Sequence, residues 1–327
     1  MDMDFSKRIG RLSPDGIFEL EGYYVWCGTM TRDDGGLYYL FFSFWEKALG
    51  FDAWVTHSKI GYATGNDPFG KFEYRGIALG GSGFGWDRDC VHNPSVIRHN
   101  GKYYLYYMGN YGSGEYWDNR NHQRIGVAEA DTPAGPWRRF DRPIIDVSPS
   151  GHDSLVCSNP SVTQGPDGRF YMIYKAVENS GILPKGGPVV CGIAVADHPL
   201  GPFEKSGTPI MVNPQEAWSV EDAFIWYEND RFYSLAKDFH GYFTGAGKKH
   251  TALFESFNGF DWNLSDTPLG YLRGITMENG QFLELANMER PQIYIENGKP
   301  LALLCACLKE EDQEGMTHSF NVRLPLE

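Results

Sequence analysis

The chain has 327 residues, of which 15% are aromatic, 39 are Gly and 19 are Pro, and its formal net charge is −13. This negative charge argues against nucleic acid and anionic membranes as partners, because both bind clustered Lys and Arg. No run of 18 apolar residues predicts a transmembrane helix. Frequent aromatic and turn-forming residues indicate short strands joined by tight turns.

Residues 1–10 lack the apolar core of a signal peptide. This predicts a cytoplasmic protein if that N-terminus is native, and a periplasmic or secreted one if a leader has been trimmed. The six cysteines form no CxxC pair and no Cys/His metal-binding spacing. Most lie in apolar runs, so we expect reduced, buried thiols. The sequence offers no argument for a metal ion or any other cofactor.

One unit recurs five times along the chain. Its copies are CGTMTRDDGGLYYLFF from residue 27, NPSVIRHNGKYYLYY from 93, NPSVTQGPDGRFYMIY from 159, DAFIWYENDRFYSL from 222 and RPQIYIENGKPLALL from 290. Each copy is typical of a hairpin, with a strand, a turn containing Gly, Asn or Asp, and a second strand. The starts are 66, 66, 63 and 68 residues apart. Such regular spacing indicates a repeat architecture.

A second marker repeats out of phase with the first. It reads IGYATGNDPFGKF at 60–72, IGVAEADTPAGPW at 125–137 and CGIAVADHPLGPF at 191–203, with a degenerate copy at 251–262. Each copy predicts a third strand, a turn and the start of an edge strand. Four antiparallel strands per repeat, five times, predict an all-β, five-bladed β-propeller in a single domain spanning 1–327. A parallel α/β fold would need helices between the strands, and the sequence shows almost none.

In a propeller the first strand of every blade lines the central channel, so equivalent residues of the repeats should meet near the axis. One such ring would contain Cys27, Asn93, Asn159, Asp222 and Arg290. The ring one residue earlier would contain Trp26, His92, Ser158, Glu221 and Glu289. Asp87 and Asp153 each precede an Asn-Pro pair by six residues. We expect these two aspartates in loops at the channel mouth.

Ionisable groups concentrate in the last two blades. Glu221 and Glu289 hold the same place in adjacent blades, and two carboxylates held close together raise the pKa of one of them. A raised pKa makes a general acid available near neutral pH. Asp222 and Arg290 share a ring and are expected to pair. Glu221 and Asp222 should face opposite sides of their strand unless the strand is irregular. A structural belt of salt bridges between blades is the alternative interpretation.

The predicted mouth combines aromatic and polar groups that suit a neutral sugar. Trp26 offers an apolar face, while His92, Asn93, Asn159 and Arg290 offer hydrogen bonds to hydroxyl groups. The other tryptophans placed near the mouth are Trp45, Trp54, Trp86 and Trp218. His57 ends a loop that enters a strand, where a substrate-binding role and simple packing are equally compatible with the sequence.

The units NPSVIRHNGKYYLYY and GIAVADHPLGPF resemble the blades of five-bladed glycoside hydrolases of families 43 and 117, over about residues 20–310. The resemblance implies a glycosidase with an Asp before Pro as base or pKa-tuning residue, and a Glu in a later blade as general acid. Glu221 matches that Glu. The chain departs from the pattern at the Asp-Pro positions, where it has Cys27-Gly28, Asn93-Pro94 and Asn159-Pro160.

We therefore predict an exo-acting, inverting glycoside hydrolase for a neutral oligosaccharide. Glu221 would protonate the leaving oxygen and Asp153, or else Glu289, would activate water, with Asp87 binding substrate. Inversion requires carboxyl groups about 6.5–9.5 Å apart. Two alternatives stay open: a sugar-binding propeller without catalysis, and a glycoside phosphorylase, which would need a basic cluster at the mouth.

Overall fold

Five antiparallel sheets of four strands are arranged around a common axis in a computed structural model, which describes residues 3–309 and 317–327. The innermost strands of neighbouring sheets contact each other all the way round the ring. This architecture confirms the predicted five-bladed β-propeller.

The strands follow one another in the predicted order. Before the first blade comes strand β1 (Ile17–Phe18). Blade one contains β2 (Tyr23–Arg32), β3 (Tyr38–Glu46), β4 (Lys59–Gly65) and β5 (Glu73–Leu79). Blade two contains β6 (Cys90–His99), β7 (Lys102–Asn110), β8 (Arg124–Ala130) and β9 (Arg138–Arg139). Blade three contains β10 (Val156–Gln164), β11 (Phe170–Val177), β12 (Val189–Ala196) and β13 (Glu204–Lys205).

Blade four contains β14 (Val220–Glu228), β15 (Arg231–Asp238), β16 (His250–Ser256) and β17 (Asn263–Tyr271). A small hairpin of β18 (Gly274–Thr276) and β19 (Phe282–Glu284) follows. Blade five begins with β20 (Asn287–Glu296), β21 (Lys299–Leu308) and β22 (Ser319–Pro325). Two short helices lie in loops: α1 (Trp54–His57) and α2 (Tyr116–Asn121). Within the described ranges, no helix has the length and apolarity needed to cross a membrane.

The two ends of the chain meet in the last blade. Strand β1 pairs antiparallel with β22, with Ile17 opposite Val322, and so becomes the outermost strand of blade five. Phe18 in this strand is buried, and so is Phe5, which lies farther toward the N-terminus and packs against Trp226 of blade four. The sequence analysis finds the fifth hairpin but not this closure, because a two-residue strand has too few positions to show a pattern.

Each innermost strand is irregular at the same point. The register with the second strand shifts at residues 26–29, 92–95, 158–161, 221–224 and 289–292. One residue inside each irregularity has a left-handed φ between 52° and 59°, namely Cys27, Asn93, Asn159, Asp222 and Arg290. Asn and Asp tolerate this conformation well, and a bulge of this kind re-aims nearby side chains. These five residues therefore form the predicted ring of equivalent positions.

Buried apolar clusters lie between successive blades and hold the ring together. Phe41 of blade one packs with Trp86 and Tyr107 of blade two, for example. This packing accounts for the high aromatic content, because large rings fill the wedge between twisted sheets. All six cysteines are buried and free of disulfides.

Candidate active site

The ring residues are joined by side-chain hydrogen bonds across the channel. Cys27 Sγ donates to Asn93 Oδ1 at 2.6 Å, and Asn93 Nδ2 donates to Asn159 Oδ1. Asn159 Nδ2 then donates to Asp222 Oδ1 at 2.7 Å, and Arg290 Nη1 lies 3.5 Å from the same oxygen. An amide both donates and accepts, so Asn in blades two and three carries the chain of bonds onward. The repeated Asn-Pro motif thus builds a floor across the channel.

A cavity of about 240 Å³ lies above this floor. Asn93, Asn159, Asp222 and Arg290 form its base. His92, Glu221 and Glu289 lie beside them, and the aromatic side chains on its walls are Trp26, Trp45, Phe51, Trp54, Tyr116, Trp117 and Trp218. The cavity combines an ionisable base with apolar walls, as small-molecule sites commonly do.

Two lysines hold the carboxylates of the cavity in place. Lys175 Nζ bonds Glu221 Oε1, and Lys237 Nζ lies 3.0 Å from Glu221 Oε2. Lys237 Nζ also lies 3.1 Å from Glu289 Oε1 and 3.8 Å from Asp222 Oδ2. Glu221 and Asp222 are adjacent in sequence, yet both line the cavity. The β-bulge at residues 221–224 interrupts the regular alternation of side chains along the strand and allows this.

The surroundings separate the protonation states of these carboxyl groups. Burial acts to raise the pKa of Glu221, but the charges of Lys175 and Lys237 outweigh it, and the pKa lies well below its usual range. Burial, together with the charge of Glu221, raises the pKa of Asp222 to about 6. Of the adjacent residues Glu221 and Asp222, Asp222 is therefore the one that stays protonated up to the higher pH. The prediction that Glu221 is the general acid does not match this electrostatic arrangement.

His92 is neutral in this environment. Burial and the nearby charge of Arg290 lower its pKa to about 3. Its Nδ1 lies 2.7 Å from Ser58 Oγ, and its ring lies 5.0 Å from that of Trp54, centroid to centroid. His92 thus presents an uncharged imidazole to the cavity.

The structure does not place Asp153 at the channel mouth. Its side chain is 2% exposed and lies inside blade three. Tyr174 Oη of β11 donates to Asp153 Oδ2 at 2.9 Å, and Lys205 Nζ of β13 lies 2.6 Å from the same oxygen. The carboxylate ties the second strand to the fourth, and it does not line the cavity. The expectation that Asp153 is a base at the mouth is corrected accordingly.

Asp87 occupies the equivalent place in blade two and is 3% exposed. Tyr107 Oη of β7 donates to Asp87 Oδ2 at 2.9 Å, and Arg139 Nη1 of β9 lies 3.1 Å from it. The repeated Asp six residues before Asn-Pro is therefore a structural strut in both blades. The predicted substrate-binding role of Asp87 is not supported by its location.

His57 also lies away from the main cavity. It is exposed, its Nδ1 is 2.8 Å from Thr56 Oγ1, and it borders a separate depression beside Asp89. The other predicted site residues do border the main cavity: Trp26, His92, Asn93, Asn159, Glu221, Asp222, Glu289 and Arg290. Trp86 packs inside the protein between blades.

The sequence analysis missed Lys175 and the residues of α2. Lys175 interrupts the apolar strand YMIYKAV and lies opposite Ser158 on the neighbouring strand. Lys237, in the strand segment FYSLAKD, lies opposite Glu221 in the same way. A charged residue at the same place in two buried strands was the available signal. Helix α2 supplies Tyr116, Trp117 and Arg120 from a loop between β7 and β8. The corresponding loop of blade one carries α1 and supplies Trp54, but the two loops have different sequences, so alignment of the repeated motifs did not reveal this shared position.

No group of three or more His, Cys, Asp or Glu in the parts of the chain that the structure describes is arranged to hold a metal ion. The cationic partners of the carboxylates are instead Lys175, Lys237 and Arg290.

Fold and cavity together define a five-bladed propeller with a carboxylate-lined pocket at one mouth of its channel. No protein-family model and no curated protein sequence matches the chain. Solved structures do match it. A family 117 glycoside hydrolase from the marine bacterium Zobellia galactanivorans aligns with a TM-score of 0.64 at 20% identity, over 97% of this chain and 89% of that chain.

An endo-arabinase from Bacteroides thetaiotaomicron aligns with a TM-score of 0.62 at 15% identity, over 97% of each chain. A family 43 β-xylosidase/α-arabinofuranosidase from a compost microbial metagenome aligns with a TM-score of 0.61 at 17% identity, over 95% of this chain and 96% of that chain. At these identities the similarity establishes a shared fold, and it confirms the structural resemblance to the propellers of families 43 and 117.

Proposed function

We propose that the chain is a glycoside hydrolase that removes the terminal sugar of an oligosaccharide in this pocket. The observation that carries the proposal is the position of Asp222, a buried acid with a pKa raised to about 6, beside Glu221 and Glu289 at the base of an aromatic-walled cavity. The structural neighbours support glycoside hydrolysis, since their names describe a family 117 hydrolase, an endo-arabinase and a β-xylosidase/α-arabinofuranosidase.

The shape of the cavity favours an end of a glycan over an internal position. The hydrogen-bonded ring of Asn93, Asn159 and Asp222 closes the floor and makes the cavity a blind pocket, in which we propose that the terminal sugar is held. Trp26 and Trp54 on the walls offer flat apolar faces. Sugar rings present C–H groups that pack on such faces while their hydroxyl groups reach the polar floor.

Asp222 is the proposed proton donor. Its Oδ1 accepts the hydrogen bond from Asn159, which leaves Oδ2 to carry the proton and to donate it to the leaving oxygen. Glu289 is the proposed base that activates water. Glu221, held ionised by two lysines, would stabilise the positive charge that develops on the sugar ring in the transition state.

The upper limit on the spacing of the two carboxyl groups includes the range of retaining pairs and the lower end of the range of inverting pairs. Asp222 Oδ2 and Glu289 Oε1 lie 3.8 Å and 3.1 Å from the same Lys237 Nζ, so their separation is at most about 7 Å, the sum of the two distances. Inverting pairs are about 6.5–9.5 Å apart and retaining pairs about 5–5.5 Å apart. We propose a single displacement by water with inversion, to be checked by NMR of the first anomer released.

A panel of aryl glycosides and plant or algal oligosaccharides, incubated with and without inorganic phosphate, tests the proposal. Hydrolysis that does not depend on phosphate supports it. Formation of a sugar phosphate would indicate a phosphorylase, and binding without turnover would indicate a sugar-binding propeller. Asp222→Asn and Glu221→Gln separate the two candidate acids, because loss of the acid slows substrates with poor leaving groups most. Asp131→Asn, at an exposed surface site, is the control.

A further inference from the structure

Arg290 has an unusual position for a charged residue. It lies in β20 on the floor of the cavity and is 1% exposed. Among the described residues, neither its Nε nor its two Nη atoms have a hydrogen-bond partner. Asp222 Oδ1, at 3.5 Å, is farther away than a good N–H···O bond allows. A buried guanidinium with all its donors unused is unfavourable unless a ligand completes it.

A second buried donor borders the same cavity. Gln123 is 2% exposed, and its Nε2 has no hydrogen-bond partner among the described residues. Arg290 and the Gln123 amide nitrogen both donate hydrogen bonds and cannot accept them. What the cavity lacks is therefore an acceptor, and next to a guanidinium the strongest acceptor is an anion.

The residues next to Arg290 do not supply the missing hydrogen-bond acceptor. Burial keeps the pKa of the Cys27 thiol well above its usual value despite the charge of Arg290, so Cys27 stays neutral, and its Sγ donates to Asn93. Asp222 Oδ1 already accepts from Asn159. The cationic side chains that border the cavity or its carboxylates are Arg120, Lys175, Lys237 and Arg290, against the carboxyl groups of Glu221, Asp222 and Glu289. An additional anion would thus enter a site without excess negative charge.

We propose that Arg290 anchors a subsite for an oxyanion of the substrate, at the floor of the cavity. The planar guanidinium offers two parallel N–H groups, a geometry that matches the carboxylate of an acidic sugar such as a uronic acid. The inference builds on the proposed glycosidase function and changes the expected substrate from a neutral to an acidic sugar. Inorganic phosphate is the other source of the same chemistry, and the test below distinguishes the two.

Isothermal titration calorimetry with matched pairs of ligands provides the test. D-glucuronate is compared with D-glucose, D-galacturonate with D-galactose, and inorganic phosphate is titrated separately. We expect at least one uronate to bind the wild-type protein tenfold or more tightly than its neutral counterpart. Arg290→Met should abolish this preference. Arg290→Lys keeps the charge but lacks the two parallel N–H groups, so it should retain only part of the preference. Arg138→Met, at an exposed outer strand, should leave the preference unchanged.

The melting temperature separates a binding role from a structural one. Arg290→Met leaves Asp222 without its ion-pair partner, so its melting temperature should fall. Arg290→Lys keeps the positive charge, so it should retain the wild-type melting temperature while losing part of the uronate preference, as a purely structural role would not predict. Arg290-dependent binding of phosphate without uronate preference would support the subsite and assign the anion to phosphate. Neutral sugars that bind as tightly as uronates, with no phosphate binding, would overturn the inference, as would a preference that survives in Arg290→Met. Because binding is measured without turnover, hydrolysis of neutral glycosides would leave the proposed function standing.

Discussion

Glu221 and Glu289, at the same position of neighbouring blades, share one lysine: Lys237 Nζ lies 3.0 Å from Glu221 Oε2 and 3.1 Å from Glu289 Oε1. Burial acts to lower the pKa of Lys237, but the carboxylates raise it above its ordinary value, so this lysine stays charged. The arrangement holds two carboxylates close to one ammonium group and contributes to the lowered pKa of Glu221. It also makes Lys237 the group on which the electrostatic balance of the cavity depends.

Lys237→Met should therefore reduce both stability and activity. It leaves two largely buried carboxylates without their common partner, and breaking a buried ion pair from one side costs about 3–5 kcal/mol. Denaturant unfolding at pH 7 measures the loss. Lys71→Met, which removes an exposed pair with Asp15, should change stability by less than about 1 kcal/mol. Similar small losses in both variants would show that Lys237 does not hold the carboxylates together.

The raised pKa of Asp222 predicts how stability depends on pH. The folded protein retains a proton at about pH 6 that the unfolded chain, with an ordinary pKa of 3.8, has released. Stability is therefore lost as pH rises from about 4 to about 6. Asp222→Asn removes this effect. Between about pH 4 and pH 6, the free energy of unfolding of the variant should therefore rise relative to that of the wild-type protein by on the order of 3 kcal/mol.

Two other groups titrate nearby, and the comparison of variants cancels them. His92, whose pKa is lowered to about 3, stabilises the fold as pH rises toward 6.5, in both proteins alike. The lowered pKa of Glu221 changes the stability of the fold only below the ordinary pKa of 4.5. Melting curves between pH 4.5 and 7 are the measurement. A difference between wild type and Asp222→Asn that is flat with pH would mean that the pKa of Asp222 is not raised.

Asp153 and Glu289 should respond oppositely to neutralisation. Asp153→Asn breaks a buried ion pair with Lys205, so we expect a loss of about 3 kcal/mol in stability, with activity falling only in step with the folded fraction. Glu289→Gln should reduce turnover about 10²–10⁴-fold while the protein stays folded. Asp87→Asn, the equivalent strut of blade two, should behave like Asp153→Asn. Loss of turnover in a fully folded Asp153→Asn protein would restore Asp153 as the base.

The N-terminal closure predicts that residues far from the channel support the whole ring. Phe5 is completely buried against Trp226, with ring centroids 5.6 Å apart. Phe5→Ala should cost about 3–5 kcal/mol, the usual effect of truncating a buried Phe. Phe257, at 72% exposure, is the matched control, and Phe257→Ala should change stability by less than about 0.5 kcal/mol. Equal melting temperatures for the two variants would show that the closure adds little.

The sequence predicted the fold well because repeats at a constant spacing identify a propeller without any detail of packing. The same alignment correctly grouped Cys27, Asn93, Asn159, Asp222 and Arg290, since equivalent residues of repeats occupy equivalent places. It could not separate Asp87 from the site. An Asp at a fixed offset from Asn-Pro is equally compatible with a strut and with catalysis, and only the contact with Tyr107 decides between them.

Protonation states were the least predictable feature of the site. The closeness of Glu221 and Glu289 suggested that one of them has a raised pKa, but Lys237 lies between them and favours the charged forms. Lys175 adds a second positive charge from another strand. The proton is retained by Asp222 instead, because its position beside Glu221 and within the floor combines burial with a neighbouring negative charge.

Turnover in ¹⁸O-labelled water shows whether the protein hydrolyses a glycosidic bond with Asp222 as its acid. With the best oligosaccharide of the panel, we expect the released terminal sugar to carry one ¹⁸O at its anomeric carbon, with or without phosphate. We also expect that kcat/KM falls as pH rises through about 6, as Asp222 loses its proton, and that Asp222→Asn slows the reaction about 10²–10⁴-fold. Absence of labelled sugar, or labelled sugar released at the wild-type rate by Asp222→Asn, would contradict this expectation.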